Sequence, residues 1–262
     1  MQEKYADLNH LKWAMEAGQD ELLSEVPRDR FSNTQNVLKN ADLSLQQKNA
    51  VSSESKSLRN VKSAEEAANT AKTLFELREA FISFEGCALK NTAMNFVYGD
   101  GNAEADVMLI GEAPGADEDR EGKPFVGLSG QLFDKMIHSI GLPRSEVYVT
   151  NVLPWRPPGN RQPTPGEIGA CLPFVKRHIE LVRPRILVLV GGISAKTLLS
   201  RTEGIMRLRG RWFNYQADYS SDGIPALPVL HPAFLLHSAG QKAKAWKDMV
   251  EIRKKMKDLE VY

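Results

Sequence analysis

The sequence predicts an α/β fold: a three-layer α/β/α arrangement with a central four-stranded parallel sheet. Four short apolar runs, at 106–110, 147–150, 185–190 and 226–230, have the length and composition of buried strands. Stretches with helical periodicity, about 10–18 residues long, separate these runs. Strands that alternate with helices of this length form a parallel sheet with helices on both of its faces.

The first strand leads into the segment around which the chain is organised. Beyond Ile110 a loop rich in glycine, proline and acidic residues extends to Gly127. A loop at the carboxyl end of a strand is where ligands bind in open α/β sheets. Its acidic residues argue against a simple phosphate cradle, for which neutral or basic residues are typical. A helix at 129–140 follows, and Gly141 is a suitable residue to end it.

The second strand ends at a polar residue and a stiff loop. Asn151 follows the strand, and a Pro/Gly-rich loop with two arginines occupies 154–161. The next apolar periodicity predicts a helix at 165–182 that opens with Pro165, a residue favoured in the first helical turn.

The third strand is apolar on both faces, which is typical of the centre of a parallel sheet. Gly191 and a second glycine follow it, and a helix is predicted at 193–200. Residues 204–215 predict a basic turn or hairpin. The fourth strand ends at His231, and a lysine-rich amphipathic helix is predicted at about 239–258.

The N-terminal part differs in composition from the rest of the chain. Residues 1–25 hold an imperfect apolar stripe and predict a helix that either docks on the main domain or binds a partner protein. Residues 26–64 have too few large apolar residues to offset the entropy of ordering, so we expect a flexible linker. The main domain is predicted at 65–262. A helix is expected at 63–82, with Ser63 as its N-cap.

Composition excludes several classes of protein. The net charge of the 262 residues is +1, so a strongly basic nucleic-acid binder is not indicated, although a local basic patch remains compatible. Two cysteines imply no disulfide framework. No apolar stretch approaches the ~20 residues that span a bilayer, and the N-terminus has no signal-peptide pattern. We expect a cytoplasmic monomer without a membrane partner.

Polar side chains follow three of the predicted strands. Glu112 comes after the first strand, Asn151 after the second and His231 after the fourth. Because the carboxyl ends of parallel strands meet at one edge of the sheet, these side chains are expected to converge. Their convergence indicates a site more strongly than any one of them does.

These segments together resemble the uracil-DNA glycosylase superfamily, and most closely its family 4. The resemblance covers about residues 80–255, and its specificity comes from ordered motifs that recur at matching element ends. The motifs occupy 111–119, 122–127, 150–151, 156–161, 208–212 and 231–235.

The resemblance implies a DNA repair enzyme, associated with the nucleoid, that flips uracil out of DNA and hydrolyses its N-glycosidic bond. Glu112 is then expected to polarise water or to face the cationic sugar. His231 is expected to donate a hydrogen bond to uracil O2 as the departing base gains charge.

The same resemblance assigns residues to the base pocket. Asn151 would donate to O4 and accept from N3–H, a pairing that the edge of cytosine does not satisfy. Phe125 would stack on the flipped base, and Glu118 would lie against C5 and exclude the methyl group of thymine. Gly111 would let the backbone approach the base closely.

Further residues are expected to hold the DNA. Leu235 would fill the gap left by the flipped nucleotide. Ala233 replaces a frequent serine of the motif, so a phosphate contact passes to Ser129 and backbone amides. The predicted phosphate-binding residues are Ser129, Arg156, Arg161, Arg207, Arg209 and Arg211.

The chain departs from the family-4 pattern in its cysteines. Members typically hold a [4Fe–4S] cluster on four cysteines, and Cys87 and Cys171 match two of them. Phe84 and Trp155 stand where the other two are expected. Two thiolates do not provide the usual ligation, so we predict no iron–sulfur cluster and no other metal, with Phe84 and Trp155 filling the space by packing.

Three alternatives remain open on the sequence. The first is a glycosylase of the same fold for hypoxanthine or mismatched thymine, although Asn151 favours uracil. The second is a non-catalytic module that binds DNA or nucleotides. The third, a member that traps abasic DNA covalently, is disfavoured because 207–212 lacks the histidine of that branch.

Overall fold

A computed structural model describes residues 58–217 and 220–261. The predicted N-terminal helix and residues 26–57 of the predicted linker lie outside the described residues. The remaining part of that linker, 58–64, is helical here. In the described ranges, no helix is both long enough and apolar enough to cross a bilayer.

The helix predicted at 63–82 is two helices. Residues 58–70 form α1 and Leu74–Ser83 form α2, so Ser63 lies inside a helix and the prediction that it is an N-cap is wrong. The break has a local cause, because Thr73 Oγ1 accepts a hydrogen bond from the amide of Glu76 at 3.1 Å and so caps α2.

Six strands form one sheet, in the spatial order β1-β3-β2-β4-β6-β5. The four central strands are parallel, as predicted. The two edge strands, β1 and β5, pair antiparallel with β3 and β6 and were not predicted as part of the sheet. The strands are β1 Gly99–Gly101, β2 Val107–Gly111, β3 Val147–Asn151, β4 Ile186–Val190, β5 Phe213–Ala217 and β6 Ser220–Val229.

Edge strands escape the sequence pattern for a physical reason. β1 is only Gly-Asp-Gly, with no apolar alternation. β5 overlaps the predicted basic turn or hairpin of 204–215 only at 213–215, and it pairs antiparallel with β6, which begins beyond that segment. The central strands β2, β3 and β4 are buried along their whole length, which is why their apolar runs were recognisable.

Helices cover both faces of the sheet, so the three-layer prediction is confirmed. The remaining helices are α3 Ala116–Glu121, α4 Leu128–His138, α5 Pro165–Val182, α6 Gly192–Leu199, α7 Ile205–Leu208, α8 Pro232–His237 and α9 Lys242–Asp258. The strand period of two separates the two cores: Met108 and Ile110 of β2 join one apolar cluster, whereas Val107 and Leu109 join the other.

The helix α5 begins where the sequence indicates. Thr164 Oγ1 accepts from the amide of Glu167 at 3.2 Å, and the Glu167 carboxylate accepts from the amide of Thr164 at 2.8 Å. Together with Pro165, this reciprocal cap satisfies donors that the first turn leaves unpaired.

Candidate active site

Two strand ends and one loop residue meet around Gly111. In the β2–β3 register Gly111 lies opposite Asn151. A Cβ atom placed on Gly111 would come within 2.3 Å of Asn151 Oδ1 and 2.7 Å of Phe125 Cζ. Any side chain there would therefore displace the amide or the ring. The close approach explains the glycine and brings together three of the predicted pocket residues.

His231 completes this edge of the sheet from β6. Its ring lies against Gly191, where a Cβ atom would come within 3.4 Å of His231 Cδ2. The ring centroids of His231 and Phe125 are 6.2 Å apart. Phe125 therefore lies near both Gly111 and His231, and the predicted convergence of Glu112, Asn151 and His231 stays a prediction.

The backbone determines which nitrogen of His231 carries the proton. Nδ1 accepts a hydrogen bond from the amide of Ala233 at 3.2 Å, as the N-cap of α8. An imidazole that accepts at Nδ1 carries its proton on Nε2. Burial lowers the pKa of His231 to about 4, with an opposing contribution from the charge of Glu118. The ring is therefore a neutral hydrogen-bond donor at neutral pH.

Glu112 follows β2 directly. Its carbonyl accepts from the amide of Leu153 at 3.0 Å, so the chain beyond Asn151 holds it beside the loop after β3. Burial raises the pKa of Glu112 to about 7. A carboxyl group whose pKa lies near 7 is suited to general-base chemistry at neutral pH.

Phe125 has an unusual backbone. Its φ is 57°, in the left-handed region that few bulky residues adopt. A Cβ atom on Gly130 would come within 2.1 Å of Phe125 O, so α4 passes closely beneath it. Its ring packs on Phe133 with centroids 5.5 Å apart.

Arg144 secures the loop that carries Phe125, a role the sequence did not indicate. Its guanidinium donates to the carbonyl of Pro124 at 2.9 Å and pairs with Asp100 at 3.1 Å and Asp134 at 3.2 Å. One side chain thereby ties together β1, α4 and the residue before Phe125.

Glu118 also serves the loop. Its carboxylate accepts from the amides of Gly127 at 2.9 Å, Val126 at 3.1 Å and Gly115 at 3.1 Å. These bonds close the loop on the first turn of α3. The predicted contact of Glu118 with the base at C5 stays a prediction.

The predicted wedge, Leu235, requires a correction. It is 1% exposed and packs with Leu230 and Ala245. Its neighbour Leu236 is 46% exposed at the surface of α8. In a helix of six residues, a shift of one position exchanges the leucine that enters the core for the one at the surface. The sequence alone did not show which of the two leucines is buried.

The predicted phosphate-binding residues differ in their surroundings. Arg209 donates from Nε to Asp248 at 2.9 Å and from a terminal nitrogen to the carbonyl of Lys244 at 2.7 Å. It therefore anchors α9, and its guanidinium is engaged within the protein. Arg207 and Arg211 are exposed on the same turn.

The other three lie on the loop after β3 and at the start of α4. Arg156 Nε donates to Asn160 Oδ1 at 2.7 Å, and Arg161 forms a two-pronged pair with Glu167 at 2.6 and 2.9 Å. Ser129 is partly exposed in the first turn of α4.

The residues at the cluster position do not fit a four-cysteine ligand set. The thiols of Cys87 and Cys171 share a hydrogen bond, which lowers the pKa of Cys87. Trp155 packs on Phe81 with centroids 5.5 Å apart, and Phe84 packs on Phe174 at 5.2 Å. Within 58–217 and 220–261, no three His, Cys, Asp or Glu side chains are grouped to hold a metal ion.

Protein purified without oxygen should therefore contain no stoichiometric iron or acid-labile sulfide, because only two thiols are available. Metal analysis and the visible absorption spectrum measure this directly. One cluster's content of iron and sulfide per chain would contradict the prediction.

Comparison with known proteins gives a consistent family. A family model described as the uracil DNA glycosylase superfamily matches residues 98–251. A type-4 uracil-DNA glycosylase of Sulfurisphaera tokodaii is 38% identical, over 69% of this chain and 84% of its own length. The type-4 enzyme of Archaeoglobus fulgidus is 37% identical, over 63% and 84%. A type-5 uracil-DNA glycosylase of Thermus thermophilus is 33% identical, over 48% and 64%.

Proposed function

The chain belongs to the uracil-DNA glycosylase superfamily, and on that premise we propose how it removes uracil from DNA. It is a DNA repair glycosylase that flips uracil out of the strand and hydrolyses the N-glycosidic bond, leaving an abasic site. The observation that carries the residue assignments is that Asn151 and Phe125 meet at Gly111, while the ring centroid of His231 lies 6.2 Å from that of Phe125. That space presents an amide, an aromatic ring and an imidazole donor to one flat base.

Recognition of the base falls to Asn151 and Phe125. Asn151 is 5% exposed, so its amide has few water molecules to satisfy it and a mispaired base leaves it without a partner. Uracil offers an acceptor at O4 and a donor at N3, which match the two ends of the amide. Phe125, held by Arg144 and α4, stacks on the base.

Bond breakage needs charge stabilisation at both ends of the reacting bond. As the bond from C1′ to N1 breaks, its electron pair passes to the uracil ring and O2, where Nε2–H of His231 donates. A water oxygen adds to C1′, and its proton passes to the Glu112 carboxylate. The same carboxylate faces the cationic sugar.

The phosphates on either side of the uracil bind Ser129, Arg156, Arg161, Arg207 and Arg211. Leu236, rather than Leu235, fills the gap in the base stack. The chain acts as a monomer at the nucleoid.

The decisive experiment uses end-labelled DNA, single-stranded and duplex, with one uracil at a known position, followed by alkali. Cleavage at that position supports the proposal. Cleavage only at hypoxanthine or mismatched thymine would move the enzyme to the other-lesion alternative. An intact strand that the protein still binds would favour a non-catalytic module.

The excision rate should rise with pH through about pH 7. Because burial raises the pKa of Glu112 to about 7, the carboxylate that accepts the proton is scarce at pH 5.5 and predominant at pH 8.5. His231, with a pKa of about 4, is neutral across this window. Single-turnover rates measured from pH 5.5 to 8.5 test this.

The matched variant is Glu112→Gln, which has a similar shape but no ionisation. It should be slow and nearly independent of pH over the same window. A flat profile for the unmodified protein would contradict the assignment of Glu112 as the base.

Substitution of two adjacent leucines by alanine should affect two different properties, excision and stability. Leu236→Ala should lower excision from duplex DNA about tenfold and leave folding intact, because Leu236 is exposed and its proposed role is to fill the gap left by flipping. Leu235→Ala should destabilise the fold by about 2–5 kcal/mol, since it opens a cavity in the core. Thermal unfolding and duplex excision rates separate the two, and the reverse pattern would contradict the correction.

A further inference from the structure

The first two turns of α9 combine basic and aromatic side chains at the surface. Trp246 is 52% exposed, and Lys242, Lys244 and Lys247 around it are exposed. We call these four residues the α9 basic face. Ala245 and Met249 bury the opposite side of the helix. The helix carries seven Lys and Arg against three Asp and Glu, a local excess in a chain of net charge +1.

The start of α9, which carries this face, packs through its buried side on the segment that leads into the candidate site. Ala245, the residue before Trp246, packs with Leu235 of α8 and with Leu230. Leu230 immediately precedes His231. The start of α9 is therefore separated from the imidazole by only the short helix α8.

On its other side the face adjoins the basic turn. Arg209 donates to the carbonyl of Lys244 at 2.7 Å and pairs with Asp248, which is 1% exposed. Arg207 and Arg211, two residues away on either side, are exposed. The internal ion pair thus joins two basic segments into one strip.

We propose that the α9 basic face is a second nucleic-acid contact, for single-stranded DNA flanking the uracil. Trp246 stacks on an unpaired base, and Lys242 and Lys247 bind the phosphates on either side of it. The inference rests on the proposed function and extends it by naming the preferred form of the substrate. It assigns Arg209 the role of a positioning residue for this strip.

The chemistry of the face favours this ligand. A partly exposed indole amid ammonium groups matches the combination of stacking platform and electrostatic groove that binds single strands without sequence preference. A base in a duplex is already stacked and does not offer its face, so Trp246 gains a partner only on unpaired DNA. The cationic excess favours a polyanion over the neutral surface of a protein.

The test compares a long single strand, a duplex and an oligonucleotide of about five nucleotides, each with one central uracil. Trp246→Ala should raise the half-saturating concentration in single-turnover excision about tenfold on the long single strand. It should leave the duplex and the short oligonucleotide unchanged, because the bases of the duplex are paired and the short oligonucleotide ends before it reaches Trp246. Trp246→Phe should retain most of the binding, since it retains an aromatic ring.

Phe75→Ala is the matched control, since Phe75 is an exposed aromatic residue (71%) on α2, which packs against the other core of the sheet. It should change none of the three substrates. Equal half-saturating concentrations for Trp246→Ala and the unmodified protein on the long strand would overturn the proposal. So would equal weakening on all three substrates.

The proposed phosphate contacts of the lysines are tested by the salt dependence of binding. Lys247→Ala should weaken binding to the long single strand and reduce the slope of log affinity against log salt by about 0.7. Lys257→Ala, ten residues further along the same helix and so about 15 Å away, should leave the slope unchanged. Equal slopes for both variants would overturn the phosphate contact.

If the unmodified protein excises no uracil from any substrate, the proposed function itself fails, and that outcome is distinct from a defect confined to long single strands.

Discussion

Replacing Asn151 with aspartate should change the base that the pocket accepts. We expect Asn151→Asp to lower the ratio of uracil to cytosine excision by about 10⁴-fold, the discrimination typical of sites that pair buried polar groups with a substrate. Cytosine offers N4–H₂ as a donor and N3 as an acceptor. A carboxylic acid accepts from N4–H₂ and, in the protonated form that burial favours, donates to N3.

The structure gives the reason for such a large effect. Asn151 is 5% exposed and its Oδ1 lies close against Gly111, so protein rather than water surrounds its amide. An unpaired amide or carboxyl in that position loses its hydrogen bonds to water and to the base alike.

Matched single-turnover assays on uracil-containing strands and on otherwise identical cytosine-containing strands measure the ratio. Asn214→Asp makes the same chemical change on exposed β5 and should leave the ratio unaltered. A variant that loses uracil excision without gaining cytosine excision would place Asn151 in the pocket wall and away from the base edge.

Loss of the His231 donor should produce the second large effect. His231→Asn should lower the rate of the chemical step about 10²–10³-fold, the usual cost of removing one donor to developing negative charge. Asparagine is also a good N-cap, so the amide of Ala233 keeps an acceptor and α8 keeps its start. The loss then reports on the Nε2–H group rather than on folding.

Single-turnover excision at saturating enzyme isolates the chemical step, and thermal unfolding checks the fold. His138→Asn, at the exposed end of α4, serves as the control. A His231→Asn variant that binds uracil-containing DNA more weakly but reacts at the normal rate would assign the imidazole to binding.

Burial moves the pKa values of Glu112 and His231 in opposite directions, because the charged form is an anion for Glu112 and a cation for His231. Burial disfavours the charged form of each, so the pKa of Glu112 rises to about 7 and that of His231 falls to about 4. At neutral pH the site therefore holds a neutral donor and a carboxyl close to its titration midpoint. Only the carboxyl should limit the rate between pH 5.5 and 8.5.

Aromatic packing surrounds Phe84 and Trp155, the two residues that stand where cluster cysteines were expected. A continuous set of ring contacts joins the end of α2 and the residue after it to the helix α5 and to the loop after β3. Its members are Phe81, Phe84, Phe174 and Trp155. Dispersion and apolar burial act across such a set without ligands. We infer that these contacts hold the three segments together.

The sequence alone determined the parallel centre of the sheet and the residues at its strand ends. Buried strands require unbroken apolar runs, and the residue after each run is placed by chain connectivity, so Glu112, Asn151 and His231 were identifiable locally. The start of α5 was likewise readable, because Pro165 favours the first turn of a helix through its own backbone geometry.

Only the tertiary structure decided which side chains remain free to act. Leu235 is enclosed by α9, Arg209 is bound to Asp248, and Arg144 reaches the loop before Phe125 from across the chain. The edge strands and the break before α2 also depended on neighbours that the local pattern does not reveal. A local pattern specifies which side chains favour burial or charge, but burial is completed and charges are paired by residues distant in sequence, and that pairing exists only in the folded chain.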